Sequence, residues 1–373
     1  MKIAYFIGSL NRGGLESLTL DICRKHGETP YDLVCVYRHE GNMSEDFKAS
    51  GAPMIQVRKP KGILRYLWSL RKTFLYEKVD IVHSQTPSNT LLLSIALFGT
   101  RIKIITTFHG YNFGHAPWWK RKIVYTISEK VLCVSSHQKQ YYEQKWKLNS
   151  GNKLQVVYNG IDFTKIDSAE PRKECEEGRG KERIRLAMVG NFVSVRSQNI
   201  IAKSIHHMRQ QGITNFDFNF IGRRVEQEAW RYDKCVQYCK EHRLDNVYFL
   251  GSRGDVPELL KTMDGFVYST EHDTFGIAVI EAVAAGLPIV VNDWPVMTEV
   301  CNLGLPENNS TIRFFKTDDV ADCADKMTTL LSDIETNREK LHADCQSAAA
   351  AAKQKYSIEK HIADLYVVYQ TCL

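Results

Sequence analysis

The sequence lacks an apolar run long enough to cross a membrane. Its longest run, Leu91 to Phe98, falls far short of the ~20 residues that a spanning helix needs. The apolar segment from Ile3 to Ile7 is too short for the hydrophobic part of a signal peptide. We therefore expect a cytoplasmic protein without a membrane-spanning segment.

The 10 cysteines form no C-x-x-C pair of the kind that zinc sites contain. Only Cys235 and Cys239 are close together, and neither a second pair nor a histidine cluster accompanies them. We expect reduced thiols and no structural metal.

The composition is that of a folded globular chain. Of the 373 residues, 43% are hydrophobic and 25% are charged, which excludes disordered and fibrous classes. At ~150 residues per domain, this length predicts about two domains.

Basic residues are concentrated in the first half of the chain. Residues 1–170 hold 24 Lys and Arg against 14 Asp and Glu, and residues 51–150 alone hold 16 against 4. Many lie in two aromatic-rich stretches, Arg58 to Lys78 and His115 to Lys122. Such a face can be an ordinary solvated surface or one that rests on anionic lipid headgroups. Nucleic acid is disfavoured as a partner, because no nucleic-acid-binding motif accompanies the charge.

Short β-rich apolar runs alternate with longer amphipathic runs, which predicts parallel sheets covered on both faces. The alternation stops at a polar stretch, Glu170 to Arg183, and then restarts. The sequence thus predicts an α/β protein with two Rossmann-like, doubly wound domains that face a cleft. The expected boundaries are a first domain 1–168, a linker 169–183, a second domain 184–355 and a C-terminal helix 356–373. Ligands of such sheets bind beyond the carboxyl ends of the strands, so functional residues should follow strands.

The first strand is followed by a glycine loop that contains Gly13 and Gly14 and leads into a helix. A loop of this kind lets a phosphate approach backbone N–H groups, although it can equally be only a tight turn. It is neither G-x-G-x-x-G nor a P-loop, so nicotinamide and P-loop nucleotide sites are poorly supported.

A longer pattern runs from Phe249 to Val291. It includes Arg253, then Asp273 and Glu281, with Gly276 opening a helix between the two acidic residues. This stretch resembles the donor-site signature of the retaining glycosyltransferases of family 4, which have the two-domain GT-B fold. In that family two acidic residues are separated by seven positions, as they are here.

Motifs elsewhere in the chain fit the same family in the same order. Gly13 and Gly14 resemble its N-terminal glycine loop, and His109 its acceptor-side histidine after a strand. The turn from Tyr158 to Asp162 resembles the one that closes its first domain, and the terminal segment resembles the helix that crosses back to that domain.

The resemblance implies roles for individual residues. It implies that Glu281 accepts hydrogen bonds from the donor ribose and that Asp273 accepts them from hexose hydroxyls. Arg196 takes the place of a pyrophosphate-binding lysine, where a fixed cation stabilises the leaving nucleotide. The helix that Gly276 opens would hold phosphate or sugar oxygens through backbone N–H groups at its start, those of Phe275, Gly276 and Ile277.

Several positions depart from the family pattern. Asn191 replaces a donor-site arginine, Arg196 replaces a lysine, and Asp273 followed by Thr274 replaces the usual Glu-Gly. Arg224 follows the next strand, and we hypothesise that it supplies a replacement cation. On the acceptor side, His83, His115 and Trp118 are weaker candidates.

The resemblance implies a retaining, metal-independent hexosyltransferase without a cofactor. Its donor would be a UDP- or GDP-linked sugar, and its acceptor a lipid-linked or saccharide molecule of surface polysaccharide, lipopolysaccharide or glycolipid synthesis. The basic first domain suggests a peripheral position at the inner face of the cell membrane. The alternatives are a catalytically silent nucleotide-sugar-binding protein and a sugar-nucleotide epimerase of the same fold.

Overall fold

The computed structural model describes residues 1–58, 62–111, 118–148, 151–171 and 183–373, except for the Trp118 side chain. The chain forms two compact units. The first comprises Met1–Asp162 and Tyr356–Leu373, and the second Phe163–Lys355. The first unit ends before the predicted limit at residue 168, because the short helix after Asp162 packs against a helix of the second unit. Most of the predicted linker, residues 172–182, lies outside the described residues.

The first unit contains a parallel sheet of seven strands in the order β3-β2-β1-β4-β5-β6-β7. Its strands are β1 (Lys2–Ser9), β2 (Asp32–His39), β3 (Met54–Gln56), β4 (Ile81–Ser84), β5 (Lys103–Phe108), β6 (Lys130–Cys133) and β7 (Leu154–Val156). Its helices are α1 (Gly14–Arg24), α2 (Ser44–Ala49), α3 (Ile63–Tyr76), α4 (Pro87–Ala96), α5 (Trp118–Ile127) and α6 (Ser136–Trp146).

The alternation of side chains along β1 explains why both faces of this sheet are covered. Tyr5 and Ile7 point into one buried cluster, which α1 shares with the C-terminal helix. Ala4 and Phe6 point the other way, into a cluster formed with α3 and α4. Successive residues of a strand face opposite sides of a sheet, so an uninterrupted apolar strand requires two apolar layers.

The second unit repeats the arrangement with six parallel strands in the order β10-β9-β8-β11-β12-β13. Its strands are β8 (Ile184–Val189), β9 (Phe216–Ile221), β10 (Val247–Gly251), β11 (Gly265–Tyr268), β12 (Ile289–Asn292) and β13 (Ile312–Phe315). Its helices are α7 (Thr164–Asp167), α8 (Gln198–Gln210), α9 (Ala229–Glu241), α10 (Val256–Leu260), α11 (Ile277–Ala284), α12 (Pro295–Val300), α13 (Val320–Thr336) and α14 (Arg338–Tyr356). The predicted pair of doubly wound α/β domains is confirmed.

The strand order places a topological switch point in each sheet. In the first sheet the order reverses between β1 and β4, and in the second between β8 and β11. Crevices for ligands form beyond the carboxyl ends of strands at such points. The loops after these four strands are therefore the positions where each domain is best placed to bind a ligand.

The last helix, α15 (Ile358–Gln370), returns to the first unit, as the sequence predicts. Its Tyr369 hydroxyl donates to the Tyr5 hydroxyl at 2.9 Å and lies 2.6 Å from His83 Nδ1. His83 Nε2 lies 2.7 Å from the Thr107 hydroxyl. Because Tyr369 donates to Tyr5, the imidazole donates from Nδ1 and accepts at Nε2. This buried chain of hydrogen bonds ties α15 to β1, β4 and β5.

We expect Tyr369→Phe to lower the free energy of unfolding by about 1–3 kcal/mol, because it leaves buried polar groups of Tyr5 and His83 without a partner. Urea denaturation measures this change. Tyr366→Phe on the same helix is the matched control, since the Tyr366 ring stacks near Tyr31 and its hydroxyl has no hydrogen bond among the described residues. Equal losses in the two variants would contradict a specific role for the Tyr369 hydroxyl.

Candidate active site

The glycine loop of the first domain lies at the carboxyl end of β1. Gly13 is the N-cap of α1 and has an extended backbone, and no side chain caps the helix there. Gly14 is the first residue of the helix. The first turn of α1 also holds Glu16, whose carboxylate accepts a hydrogen bond from its own backbone N–H and whose pKa burial raises.

His109 follows β5 directly, and its Nε2 lies 2.9 Å from the Gln85 side-chain oxygen, just after β4. Burial, with a smaller effect of His361, lowers the pKa of His109 to about 4. The imidazole is therefore neutral near pH 7, so it can donate or accept one hydrogen bond but carries no charge. Both residues line a small internal cavity together with Asn159 and His361.

The structure describes the three weaker acceptor-side candidates to different extents. His83 lies inside β4 and is fully engaged with Tyr369 and Thr107, so it is part of the core rather than of an open surface. His115 lies outside the described residues, and Trp118 begins α5.

The second domain brings Arg196 and Asp273 together. Arg196 Nη1 lies 2.9 Å from Asp273 Oδ1, and both side chains are mostly buried. The Tyr268 hydroxyl donates to Asp273 Oδ2 at 2.5 Å, and the guanidinium lies over the Tyr268 ring, 5.3 Å from its centroid. Burial lowers the pKa of Arg196, but Tyr268 and Asp273 outweigh it and the net pKa is raised. The cation is therefore permanently charged in a site that water reaches poorly.

The ion pair does not use all the hydrogen-bond donors of Arg196. Its Nε is buried and has no hydrogen-bond acceptor, whereas Nη1 faces Asp273 Oδ1 at 2.9 Å. Buried donors without an acceptor are costly unless a ligand supplies one.

A second layer of side chains, not anticipated from the sequence, holds this pair in place. The Thr270 hydroxyl donates to the Val195 carbonyl at 2.6 Å and accepts from the Asp273 N–H at 3.2 Å. Asn292 at the end of β12 exchanges two hydrogen bonds with the Thr270 backbone. The sequence did carry a clue, because Tyr268, Thr270 and Asn292 all stand at or just after the ends of strands.

The loops after β8 and β9 touch through glycines. A Cβ on Gly222 would come within 2.0 Å of the Gly190 carbonyl oxygen, and one on Gly190 would lie 3.2 Å from Arg196 Nε. The Asn191 side-chain oxygen accepts from the Arg223 N–H at 3.0 Å. Asn191 therefore links the two loops instead of presenting a charge.

The two other predicted donor-site arginines are held by carboxylates. Arg224 makes a two-pronged contact with Asp233, with both N–H···O distances 2.9 Å, and a longer contact with Glu226. Arg253 contacts Asp255 in the same way, at 2.8 and 2.7 Å. The replacement-cation role of Arg224 stays a prediction.

The helix after Asp273 begins as the sequence predicts. Gly276 is its N-cap, has a φ of +82°, and lies so close to Met297 that a Cβ would approach the Met297 side chain within 2.6 Å. No side chain caps α11 there, so the N–H groups that begin with Ile277 remain available. Phe275 is buried beneath the turn, and Glu281 is half-buried one turn further along.

Within the described ranges, His, Cys, Asp and Glu side chains nowhere gather in groups of three or more that could hold a metal ion. Metal independence stays a prediction. Over the same ranges, the helices all fall short of the length and apolar character needed to cross a membrane.

Comparison with known proteins identifies the family. The model described as Glycosyltransferase Family 4 matches residues 12–165, and the model described as Glycosyl transferases group 1 matches residues 183–333. This chain is a GT-B glycosyltransferase of the family 4 and group 1 type. The family resemblance and the fold predicted from the sequence are confirmed.

Several bacterial proteins are similar to this chain over more than half of its length. An uncharacterized 41.2 kDa protein of the Klebsiella pneumoniae cps region is 26% identical over 252 residues, 63% of this chain and 66% of that protein. The N-acetyl-α-D-glucosaminyl L-malate synthase of Bacillus anthracis is 26% identical over 80% of this chain and 76% of its own length. The Escherichia coli UDP-Gal:α-D-GlcNAc-diphosphoundecaprenol α-1,3-galactosyltransferase is 25% identical over 62% of each chain.

Solved structures show the same fold over the whole chain. A glycosyltransferase from Rickettsia africae has a TM-score of 0.86 at 17% identity and covers 100% of this glycosyltransferase and 98% of its own chain. Anabaena HepE in complex with UDP-glucose has a TM-score of 0.81 at 17% identity and covers 100% of both chains.

The buried histidines predict a loss of stability in acid. Burial lowers the pKa of His361 to about 4, as it does for His109, and lowers that of His83 well below its ordinary value. Unfolded histidines titrate near 6.5, so between about pH 6.5 and pH 4 the unfolded chain binds more protons than the folded one. The free energy of unfolding should therefore fall as the pH drops through this window.

Urea denaturation at pH 7.5 and 4.5 tests this for His109. The free energy of unfolding should fall less between these two pH values in His109→Gln than in the parent chain, by on the order of 2–3 kcal/mol. His342→Gln, which removes an exposed histidine, should leave the difference unchanged. An unchanged difference in both variants would refute the assignment of His109 as a buried neutral group.

Proposed function

We propose that this glycosyltransferase moves a hexose-type sugar from a UDP- or GDP-linked donor to a lipid-linked or saccharide acceptor. The transfer would retain the anomeric configuration and need no metal or cofactor. It would serve the synthesis of surface polysaccharide, lipopolysaccharide or glycolipid, and the enzyme would sit at the inner face of the cell membrane.

The observation that carries this proposal is the state of Arg196. Its guanidinium is buried and charged, and its Nε has no hydrogen-bond acceptor. A diphosphate leaving group supplies such acceptors and develops charge as the glycosidic bond breaks, so a fixed cation there stabilises the transition state. In this role Arg196 and the uncapped N-terminus of α11 replace a metal ion.

The neighbouring groups take the remaining parts of the donor. Asp273 is held by Arg196 and Tyr268, but a carboxylate has about four acceptor positions and keeps some for hexose hydroxyls. Glu281 would bind the ribose, and the N–H groups at Gly276 and Ile277 would bind phosphate or sugar oxygens. The similar fold of HepE, which was solved with UDP-glucose, supports a uridine nucleotide over a guanosine nucleotide as the donor of this enzyme.

His109 would contact the transferred sugar from the first domain. Because its imidazole is neutral, it would accept or donate a hydrogen bond to a hydroxyl and not act as a cation. The backbone N–H groups at Gly13 and Gly14 would assist on the same side.

Donor binding can be measured before any acceptor is known. We expect one or more UDP-sugars at ~100 times their dissociation constant to stabilise the folded chain by about 2.7 kcal/mol, seen as a rise in Tm. Arg196→Ala should abolish the rise, because the diphosphate loses its cation. Arg209→Ala, which removes an exposed arginine of α8, is the control and should keep it.

The other outcomes separate the alternatives. A rise in Tm without transfer to any acceptor would favour a silent binding protein, and conversion of the donor sugar without an acceptor would favour an epimerase. No rise with any nucleotide sugar would refute the proposal. Arg224→Ala decides whether that arginine replaces the missing cation, since full donor affinity in this variant would exclude it.

The membrane part of the proposal rests on the outer face of α3. Leu64 is 78% and Trp68 64% exposed there, and Leu75 and Tyr76 continue the same face. Arg65 and Lys72 lie among them, and the Lys72 ammonium is 5.3 Å from the centroid of the Trp68 ring. Apolar side chains interleaved with cations suit an anionic lipid surface.

We expect the double variant Leu64→Asp, Trp68→Asp to lose sedimentation with vesicles that contain phosphatidylglycerol, because each change puts a carboxylate against anionic headgroups. Trp230→Asp replaces a tryptophan of the second domain that is 55% exposed, and it should sediment normally. Neutralising Lys120 and Lys122 tests the second basic stretch in the same assay. Unchanged sedimentation of all variants would contradict membrane docking through the first domain.

A further inference from the structure

Arg38, near the end of β2, is a cation that the protein itself does not neutralise. Among the described residues its side chain forms no ion pair, and its Nε is buried without a hydrogen-bond acceptor. A partly buried guanidinium without a counter-ion is unfavourable, and such groups are usually paired in folded proteins. This arginine has no part in the donor-binding roles described above.

Two neighbours hold the Arg38 side chain in place. The Tyr66 hydroxyl of α3 is buried and interacts with the guanidinium. On the other side is Gly8 of β1, where a Cβ would lie 3.4 Å from Arg38 Nη2. The guanidinium thus lies between an aromatic side chain and a glycine backbone, which fixes its orientation without supplying a counter-ion.

This cation lies at the ligand-binding edge of the first domain. The pairings Ile7 with Tyr37 and Ser9 with His39 place Gly8 beside Arg38 at the carboxyl ends of β1 and β2. The glycine loop with Gly13 follows β1 and leads into α1. Arg38 therefore lies at the edge of the sheet where ligands of such domains bind.

The same turn of α3 that contacts Arg38 also forms the proposed membrane face. Tyr66 is fully buried, whereas Leu64 and Trp68 on either side of it in sequence are exposed. A lipid carrier in a bilayer beneath Leu64 and Trp68 would bring its polar linkage close to the start of α3. A lipid carrier joins its sugar through phosphate, and a guanidinium fork matches phosphate oxygens.

We propose that Arg38 binds the phosphoryl linkage of a lipid-linked acceptor and that Tyr66 is a positioning residue for it. This rests on the proposed function, because it names the acceptor class of the same enzyme. A diphosphate could also come from the nucleotide donor, so the experiment has to keep the two sources apart.

The test is binding of geranyl diphosphate, a water-soluble lipid diphosphate, to the full chain in the presence of saturating UDP, measured by titration calorimetry. We expect the parent chain to bind it and Arg38→Gln to bind it about 10- to 100-fold more weakly, the usual effect of losing charge-assisted hydrogen bonds. Arg38→Lys should recover part of the affinity. Tyr66→Phe should weaken binding by a smaller factor without changing the affinity for UDP.

Arg101→Gln is the matched control, because Arg101 is an exposed arginine just before β5, at the opposite edge of the same sheet. It should bind geranyl diphosphate as the parent does. Equal Tm values for the parent and Arg38→Gln would confirm that the weaker binding is not a folding defect; if Arg38→Gln is unstable, the comparison of Arg38→Lys with the parent decides.

Three results would overturn the proposal: no binding by the parent chain, undiminished binding by Arg38→Gln, or competition between geranyl diphosphate and UDP, which would assign the diphosphate to the donor site. Failure of the donor proposal is distinguishable, since it would appear as absence of UDP binding while geranyl diphosphate still bound through Arg38.

Discussion

The ion pair between Arg196 and Asp273 is the contact on which the ligand edge of the second domain depends. It joins the loop after β8 to the loop after β11, across the point where the strand order reverses. Tyr268 contributes its hydroxyl to the carboxylate and its ring to the cation, and Thr270 holds both loops through backbone contacts. Because both charges are mostly buried, removing one partner would leave the other uncompensated, typically at a cost of about 3–5 kcal/mol. The pair therefore sets the geometry of the site before any donor arrives.

The fold could be read almost entirely from hydrophobic patterning, because buried parallel strands appear as short continuous apolar runs. Two strands, β3 and β13, lack this signal. β3 has only three residues, and β13 has Arg313 among its four, so neither gives a clear apolar run. Both are edge strands of their sheets, where a strand is not buried on all sides. An apolar run in the sequence indicates a buried strand, and it does not reveal strands that are only partly buried.

The candidate site was predictable to a smaller extent. The sequence motifs selected Asp273, Gly276 and Arg196, and the structure brings Arg196 and Asp273 into contact. The sequence did not predict the ion pairs of Arg224 and Arg253 with carboxylates. Pairs such as Arg224 with Asp233 depend on side-chain rotamers, which sequence spacing does not determine. Nor did it predict Arg38, whose significance comes from what is absent around it. A missing counter-ion is visible only once the neighbours are known.

The return of α15 to the first domain has a consequence for synthesis on the ribosome. Tyr5 and His83 belong to the earliest part of the chain, yet their hydrogen-bond partner is Tyr369. The first domain therefore cannot close its core while the second is being translated, and the two domains cannot simply fold one after the other in the order of synthesis. Until translation reaches α15, the nascent first domain keeps an apolar groove open along β1, which a chaperone can occupy and the final helix must displace.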